Sequence, residues 1–159
     1  MKAKLKAAVI GYGFISGKGH IPAFQKRSDV EIVAVTDICD ARRTEVRKVL
    51  PSARVYSSYE ELLEKEQGLD FVDIATPPYE HARIAIAAME RGLHVLCEKP
   101  LAVSTKEARG MLLAAQKNKR VLFPCHNYKH APVVKISNET IASGRLGKIT
   151  AITLKTFRN

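Results

Sequence analysis

Leu5-Lys6-Ala7-Ala8-Val9-Ile10-Gly11-Tyr12-Gly13-Phe14-Ile15-Ser16 is the stretch from which the fold is read. Leu5 to Ile10 has the composition of a short strand, and it breaks directly into Gly11-Tyr12-Gly13 before a helix opens. The spacing is G-x-G-x-x-S. The first glycine permits a tight turn, and the second lets the backbone approach a pyrophosphate. The third position must be small where helix packs on strand, which Ser16 satisfies. The first amides of that helix, from Phe14 and Ile15 onward, supply donors for phosphate oxygens. Gly17 and Gly19 make the helix start loose.

Outward from this turn, short β-branched runs alternate with amphipathic ones. Strands are expected at Glu31 to Thr36, Arg54 to Tyr56, Phe71 to Ala75, His94 to Cys97 and Val121 to Cys125. Helices are expected at Asp40 to Leu50, Tyr59 to Glu66, Pro77 to Arg91, from the Ser104 cap to about Asn118, and Pro132 to Ser143. Ser104 and Glu107 have capping-box spacing. Strands alternating with helices imply right-handed crossovers and an α/β, mostly parallel sheet covered on both faces. Six of them suit a doubly wound fold of order 3-2-1-4-5-6, in which ligands sit at the carboxyl ends of the strands. Lys148 to Phe157 alternates apolar and polar residues and is expected as a seventh strand, the first of a second sheet domain. The expected boundaries are 1–146 for a nucleotide-binding domain and 147–159 for the start of the second. A lone edge strand recruits another chain, so the chain is expected to be truncated and inactive alone, a homo-oligomer whose tail is either disordered or paired across the oligomer interface.

Asp37 ends the second strand about two dozen residues after the glycines, where a carboxylate holds the adenosine ribose hydroxyls of NAD. The same charge repels the 2′-phosphate of NADP, which makes NADP the less favoured cofactor. Arg42 and Arg43 lie close enough to soften that preference. The competing reading is a glycine turn beside a solvated aspartate.

The chain has 159 residues, 46% hydrophobic, enough for a domain with its own core. Three cysteines make no disulfide framework and point to a reducing, cytoplasmic setting. No apolar run approaches the ~20 residues that span a bilayer, and no signal-peptide core precedes Gly11. The net charge of +10 is uneven: Met111 to Asn159 holds nine basic residues and one acid, Glu139. Either this is a solvated basic face, or it meets an anionic substrate, an acidic partner surface or nucleic acid. Nucleic acid is disfavoured because no aromatic array is interleaved with the basic residues. Cys97 and Cys125 end neighbouring strands and His126 follows. No closely spaced ligand pair completes a metal set, so buried thiols and no metal site are expected.

Three segments, Gly11 through His20, Ala75-Thr76-Pro77-Pro78-Tyr79-Glu80-His81 and His94-Val95-Leu96-Cys97-Glu98-Lys99-Pro100-Leu101-Ala102, together resemble the glucose–fructose oxidoreductase/inositol dehydrogenase (Gfo/Idh/MocA) family. The Glu-Lys-Pro motif is the most specific of these marks. Gly17-Lys18-Gly19 before His20 is one residue longer than the family's usual spacing. The resemblance implies NAD(P)-dependent oxidation or reduction of a sugar, cyclitol or related hydroxyl, with a second α/β domain carrying substrate specificity. It implies that Thr76 and Pro77 line the nicotinamide side, that Glu98 contacts the cofactor, and that Lys99 stands near the reacting carbon. A lysine ammonium can stabilise the oxygen of an alcohol as its proton departs, and burial can lower its pKa towards proton exchange. A redox-neutral relative that uses tightly held NAD during glycoside cleavage, and a non-enzymatic nucleotide- or nucleic-acid-binding module, are the competing functions. His81, near a helix amino terminus, is expected neutral, with cofactor contact and a structural role both open. Asn127 follows the sixth strand, with a cofactor or substrate contact and a turn role both open.

Overall fold

The computed structural model describes residues 3–155. Two units are distinguished, residues 1–125 and 126–159. In the first, six parallel strands form one sheet in the order β3-β2-β1-β4-β5-β6. These are β1 (Leu5–Ile10), β2 (Val30–Thr36), β3 (Arg54–Tyr56), β4 (Phe71–Ile74), β5 (His94–Cys97) and β6 (Leu122–Pro124). The crossovers carry α1 (Ile21–Gln25), α2 (Asp40–Val49), α3 (Tyr59–Lys65), α4 (Pro78–Glu90) and α5 (Thr105–Asn118). The expected order is the observed one, because strands that alternate with helices pair in parallel through right-handed crossovers.

Side-chain alternation along the strands divides the core between the two faces of the sheet. Ala8, Ile10, Val72 and Ile74 pack with Leu62, Ile84, Met89 and Met111 of α3, α4 and α5. Val9 and Val35 point the other way and pack with Ile21 of α1 and Val46 of α2. Each such fully buried aliphatic side chain contributes about 1.5–3 kcal/mol of transfer free energy. Local signals end the elements: Ser58 and Ser104 accept the amides of Glu61 and Glu107 at the starts of α3 and α5, and Gly92 takes a φ of +81° after α4.

The helix after β1 departs from a plain α-helix. Residues 14–25 are helical, but Ser16–His20 form a π turn, closed by the Ile21 amide donating to the Ser16 carbonyl. A π turn absorbs one extra residue. The long Gly17-Lys18-Gly19 spacing is accommodated here, and two glycines within the turn ease its formation.

In the second unit a short 3-10 turn (Asn127–His130) precedes α6 (Pro132–Ala142), which buries none of its residues. The seventh strand expected at Lys148 to Phe157 does not form in residues 148–155; Phe157 lies outside the described residues. Alternation alone makes no strand: a strand needs a hydrogen-bonding neighbour, and no other strand pairs with this segment among the described residues. Ile152 and Leu154 are accordingly exposed.

Candidate functional site

The carboxyl ends of β1, β2 and β4 frame a cleft of about 310 Å³, lined among others by Gly11, Gly13, Asp37, Arg42, Thr76 and Pro77. Gly11 stands at its floor. Its amide donates to the Thr36 carbonyl at 2.8 Å, its φ is +96°, and a Cβ there would lie 2.8 Å from the Ala75 carbonyl oxygen. This glycine is required by the turn and by the backbone of the β4 end. Gly13 differs: a Cβ built on it meets nothing within 4 Å. Internal packing does not demand a glycine there, and the space above it is open. Ser16 is fully buried and its hydroxyl donates to the carbonyls of Gly11 at 2.7 Å and Gly13 at 3.2 Å, so it pins the loop as well as being small. Phe14 and Ile15 stand at the helix start with exposed side chains, and their amides, among the first of the helix, have no partner within it.

Asp37 is nearly buried and is held by two amides: Oδ2 accepts from Tyr12 N at 2.8 Å and Oδ1 from Cys39 N at 2.8 Å. Those bonds orient the carboxylate and leave lone pairs on both oxygens. The two arginines beside it take different parts. Arg43 turns away to the carbonyls of Asp37 and Ile38 and to Asp40. Arg42 lines the cleft with Nη1 3.5 Å from Asp37.

Thr76 and Pro77 follow β4 on the opposite wall. The Thr76 hydroxyl oxygen is buried without a hydrogen-bond partner. An orphaned buried hydroxyl costs about 1–3 kcal/mol, and a ligand amide or hydroxyl in the cleft would relieve it. Open space above Gly13, an oriented carboxylate at one end and an orphaned hydroxyl at the other together fit a dinucleotide. His81 is fully buried and is not among the cleft-lining residues; its Nε2 lies 2.8 Å from the Thr76 carbonyl and its Nδ1 3.0 Å from that of Pro100. A neutral ring has one N–H to give, so the tautomer decides which carbonyl receives it. His81 thus lies between the loop after β5 and the loop after β4, and its N–H bonds one of them.

Glu98 and Lys99 follow β5. Glu98 is nearly buried, and its Oε2 accepts the Lys99 amide at 2.9 Å; Lys99 itself is exposed. Asn127 is exposed, with Oδ1 accepting the Tyr128 amide at 3.0 Å.

Two residues that sequence reasoning missed sit beneath Glu98. Asp73, fully buried in β4, faces His20 of the π turn: His20 Nδ1 lies 2.8 and 3.0 Å from its carboxylate oxygens, and Nε2 lies 3.2 Å from Glu98 Oε1. The hydrogen bond to Asp73 raises the His20 pKa above its ordinary value, and burial raises that of Asp73. An acid inside the otherwise apolar run Phe71–Ile74 was the available signal. His20, Glu98 and Cys125 also bring three potential ligand atoms within 4.8 Å of one another. The imidazole and the carboxylate are already engaged in a hydrogen bond. Burial and the two carboxylates push the Cys125 thiol up to about 12, which keeps it protonated.

Comparison with known proteins gives the same picture. Residues 5–126 match the model of an oxidoreductase family with an NAD-binding Rossmann fold. The chain is 31% identical to D-apiose dehydrogenase of Paraburkholderia graminis over 144 residues, 91% of this chain and 38% of that protein. It is 31% identical to D-glucoside 3-dehydrogenase of Escherichia coli over 157 residues, 97% of this chain and 44% of that protein. The WlbA dehydrogenase of Bordetella pertussis, solved with NADH and UDP-GlcNAcA, superimposes with a TM-score of 0.87 at 27% identity, covering 93% of this chain and 44% of that one. The chain thus spans about two fifths of the length of these relatives.

Proposed function

The chain belongs to the Gfo/Idh/MocA oxidoreductase family, and from that premise we propose that it supplies the cofactor half of an NAD-dependent dehydrogenase acting on a sugar, a cyclitol or a related hydroxyl compound. The observation that carries this reading is the cleft: one end holds a carboxylate fixed by two backbone amides, and the centre is a loop whose Gly13 is open to a ligand.

When bound, NAD accepts the hydride of the alcohol carbon. The residues of this chain bind and orient around that event. Asp37 accepts from the hydroxyls of the adenosine ribose, and the amides of Gly13 to Ser16 meet the pyrophosphate, those of Gly11 and Tyr12 being taken by Thr36 and Asp37. Thr76 and Pro77 line the nicotinamide half, with Glu98 beside them. His81 acts on this half through the Thr76 carbonyl. Lys99, exposed at the strand end, hydrogen-bonds the substrate oxygen and stabilises it as its proton leaves. Asn127 offers an amide to cofactor or substrate. Residues 1–146 form the cofactor domain, and a sheet domain that sets substrate specificity begins at 147.

Titration with NAD and NADP tests the cofactor assignment. NAD is expected to bind more tightly; equal or tighter NADP binding overturns the role of Asp37. In Asp37→Ser the carboxylate hydrogen bonds are lost while Arg42 remains to meet a phosphate. NAD affinity should fall about tenfold or more, as for other hydrogen bonds to charged groups, and NADP affinity should hold or rise.

The basic last third suits an anionic substrate, and a structural relative is solved with UDP-GlcNAcA. Lys129→Glu with Lys135→Glu should weaken binding of a carboxylated or phosphorylated substrate at low salt. Unchanged affinity there leaves a solvated face. Among the described residues no helix is long and apolar enough to cross a membrane. A cytoplasmic homo-oligomer is the assembly we propose.

A further inference from the structure

We propose that His20 is a positioning residue of the cofactor site: held at Nδ1 by Asp73 and reaching Glu98 through Nε2, it sets the orientation and net charge of the carboxylate beside the nicotinamide, and so sets the preference for the oxidised over the reduced cofactor. This rests on the reading that Thr76, Pro77, Glu98 and Lys99 take the nicotinamide half. The topology supports that placement. With the adenosine acid at the end of β2 and the phosphate loop after β1, the remaining half of a dinucleotide extends over the ends of β4 and β5.

The geometry has one consequence for charge and one for shape. Asp73 is fully buried and Glu98 nearly so, and the imidazole between them is the hydrogen-bonding link. A protonated ring donates to both carboxylates. When the proton leaves, the remaining N–H serves one of them. The closer, two-oxygen contact with Asp73 retains it, and a lone pair then faces Glu98 Oε1. The network gains one unit of negative charge whichever atom gave up the proton, and Glu98 loses the hydrogen bond on Oε1 while Oε2 keeps that of the Lys99 amide. Oxidised nicotinamide is a cation and reduced nicotinamide is neutral. The two cofactors otherwise carry the same adenosine and pyrophosphate, so the ratio of their affinities isolates the charge at this end of the site.

The other groups packed around His20 do not interfere in the relevant range. Cys125 after β6, beside His20 and Glu98, has a thiol pushed up to about 12 by burial and by the neighbouring carboxylates of Asp73 and Glu98. Lys18 lies on the same π turn with an exposed side chain. The sign for His20 follows from its raised pKa. Its ion pairing is complete below its ordinary value of 6.5 and is lost as the pH rises through the higher folded value.

Dissociation constants for NAD+ and NADH, measured by calorimetry on the chain between about pH 6 and pH 9, test this. The ratio Kd(NADH)/Kd(NAD+) should rise about fivefold across that range, the low end of usual coupling between sites. It should be flat in His20→Gln, and flat near its low-pH value in His20→Lys, which keeps a cation there. Glu98→Gln should shift the ratio towards NADH. A histidine that only supported the fold would change both affinities together. A pH-independent ratio in the unaltered chain overturns the proposal even where a variant fails to fold. Binding of both cofactors with that flat ratio leaves the dehydrogenase reading intact, whereas binding of neither overturns both.

Discussion

Gly11→Ala is expected to lower the melting temperature by about 10 °C, while Gly13→Ala two positions on leaves it unchanged or slightly higher. At Gly11 two costs add. A φ of +96° is disfavoured for any residue with a Cβ, by about 1–2 kcal/mol for a left-handed conformation. The Cβ would also meet backbone, 2.8 Å from the Ala75 oxygen and 2.9 Å from its carbon, where no side chain can swing aside. Overpacking of that kind costs about 1–3 kcal/mol. A total near 3 kcal/mol corresponds to about 10 °C in a domain of this size. Gly13 has no positive φ and no atom within 4 Å of the added methyl, so alanine there reduces the freedom of the unfolded chain at no native cost. Its effect appears in binding: NAD affinity should drop about tenfold or more, the equivalent of 1.4 kcal/mol of steric conflict. Thermal melts of both variants beside NAD titrations decide the matter. A Gly13→Ala chain that binds NAD normally would mean that the cofactor does not cross this loop closely.

Lys99→Ala, in a protein that carries this domain together with its substrate domain, is expected to lower turnover about 100- to 1000-fold, the effect of removing a preorganised donor to a developing oxyanion. NAD affinity should change far less, because Lys99 is exposed at the end of β5, while the bond joining it to the rest of the site, from its amide to Glu98 Oε2, uses the backbone and survives the substitution. Rapid-kinetic turnover measured with equilibrium NAD binding separates the two effects. Near-normal turnover would make Lys99 a solvated strand-end residue. A parallel loss of NAD affinity would place it in cofactor binding instead.

Much of this molecule is legible along the chain. The six strands are short, mostly apolar runs, and α3 and α5 carry their own serine caps, so the order of the sheet follows from alternation and handedness. Gly11, Gly13, Ser16 and Asp37 are legible for the same reason: a tight turn at a strand end and a carboxylate at the next are local features with fixed offsets. Contacts between distant segments are not. His20 and Asp73 are 53 residues apart, and nothing in either neighbourhood names the other. They meet because strand alternation turns Asp73 to the face that the helix of residues 14–25 covers, and because the π turn carries His20 there. The inward direction of His81 was likewise open until the carbonyls of Thr76 and Pro100 were seen on either side of its ring. Residues 148–155 show the opposite limit. Their alternation is a strand pattern, but a strand is a property of two segments, and pairing is decided by what lies alongside. Local chemistry therefore specified the elements and the phosphate loop, whereas the buried charge network and the pairing of edges were settled by three-dimensional packing.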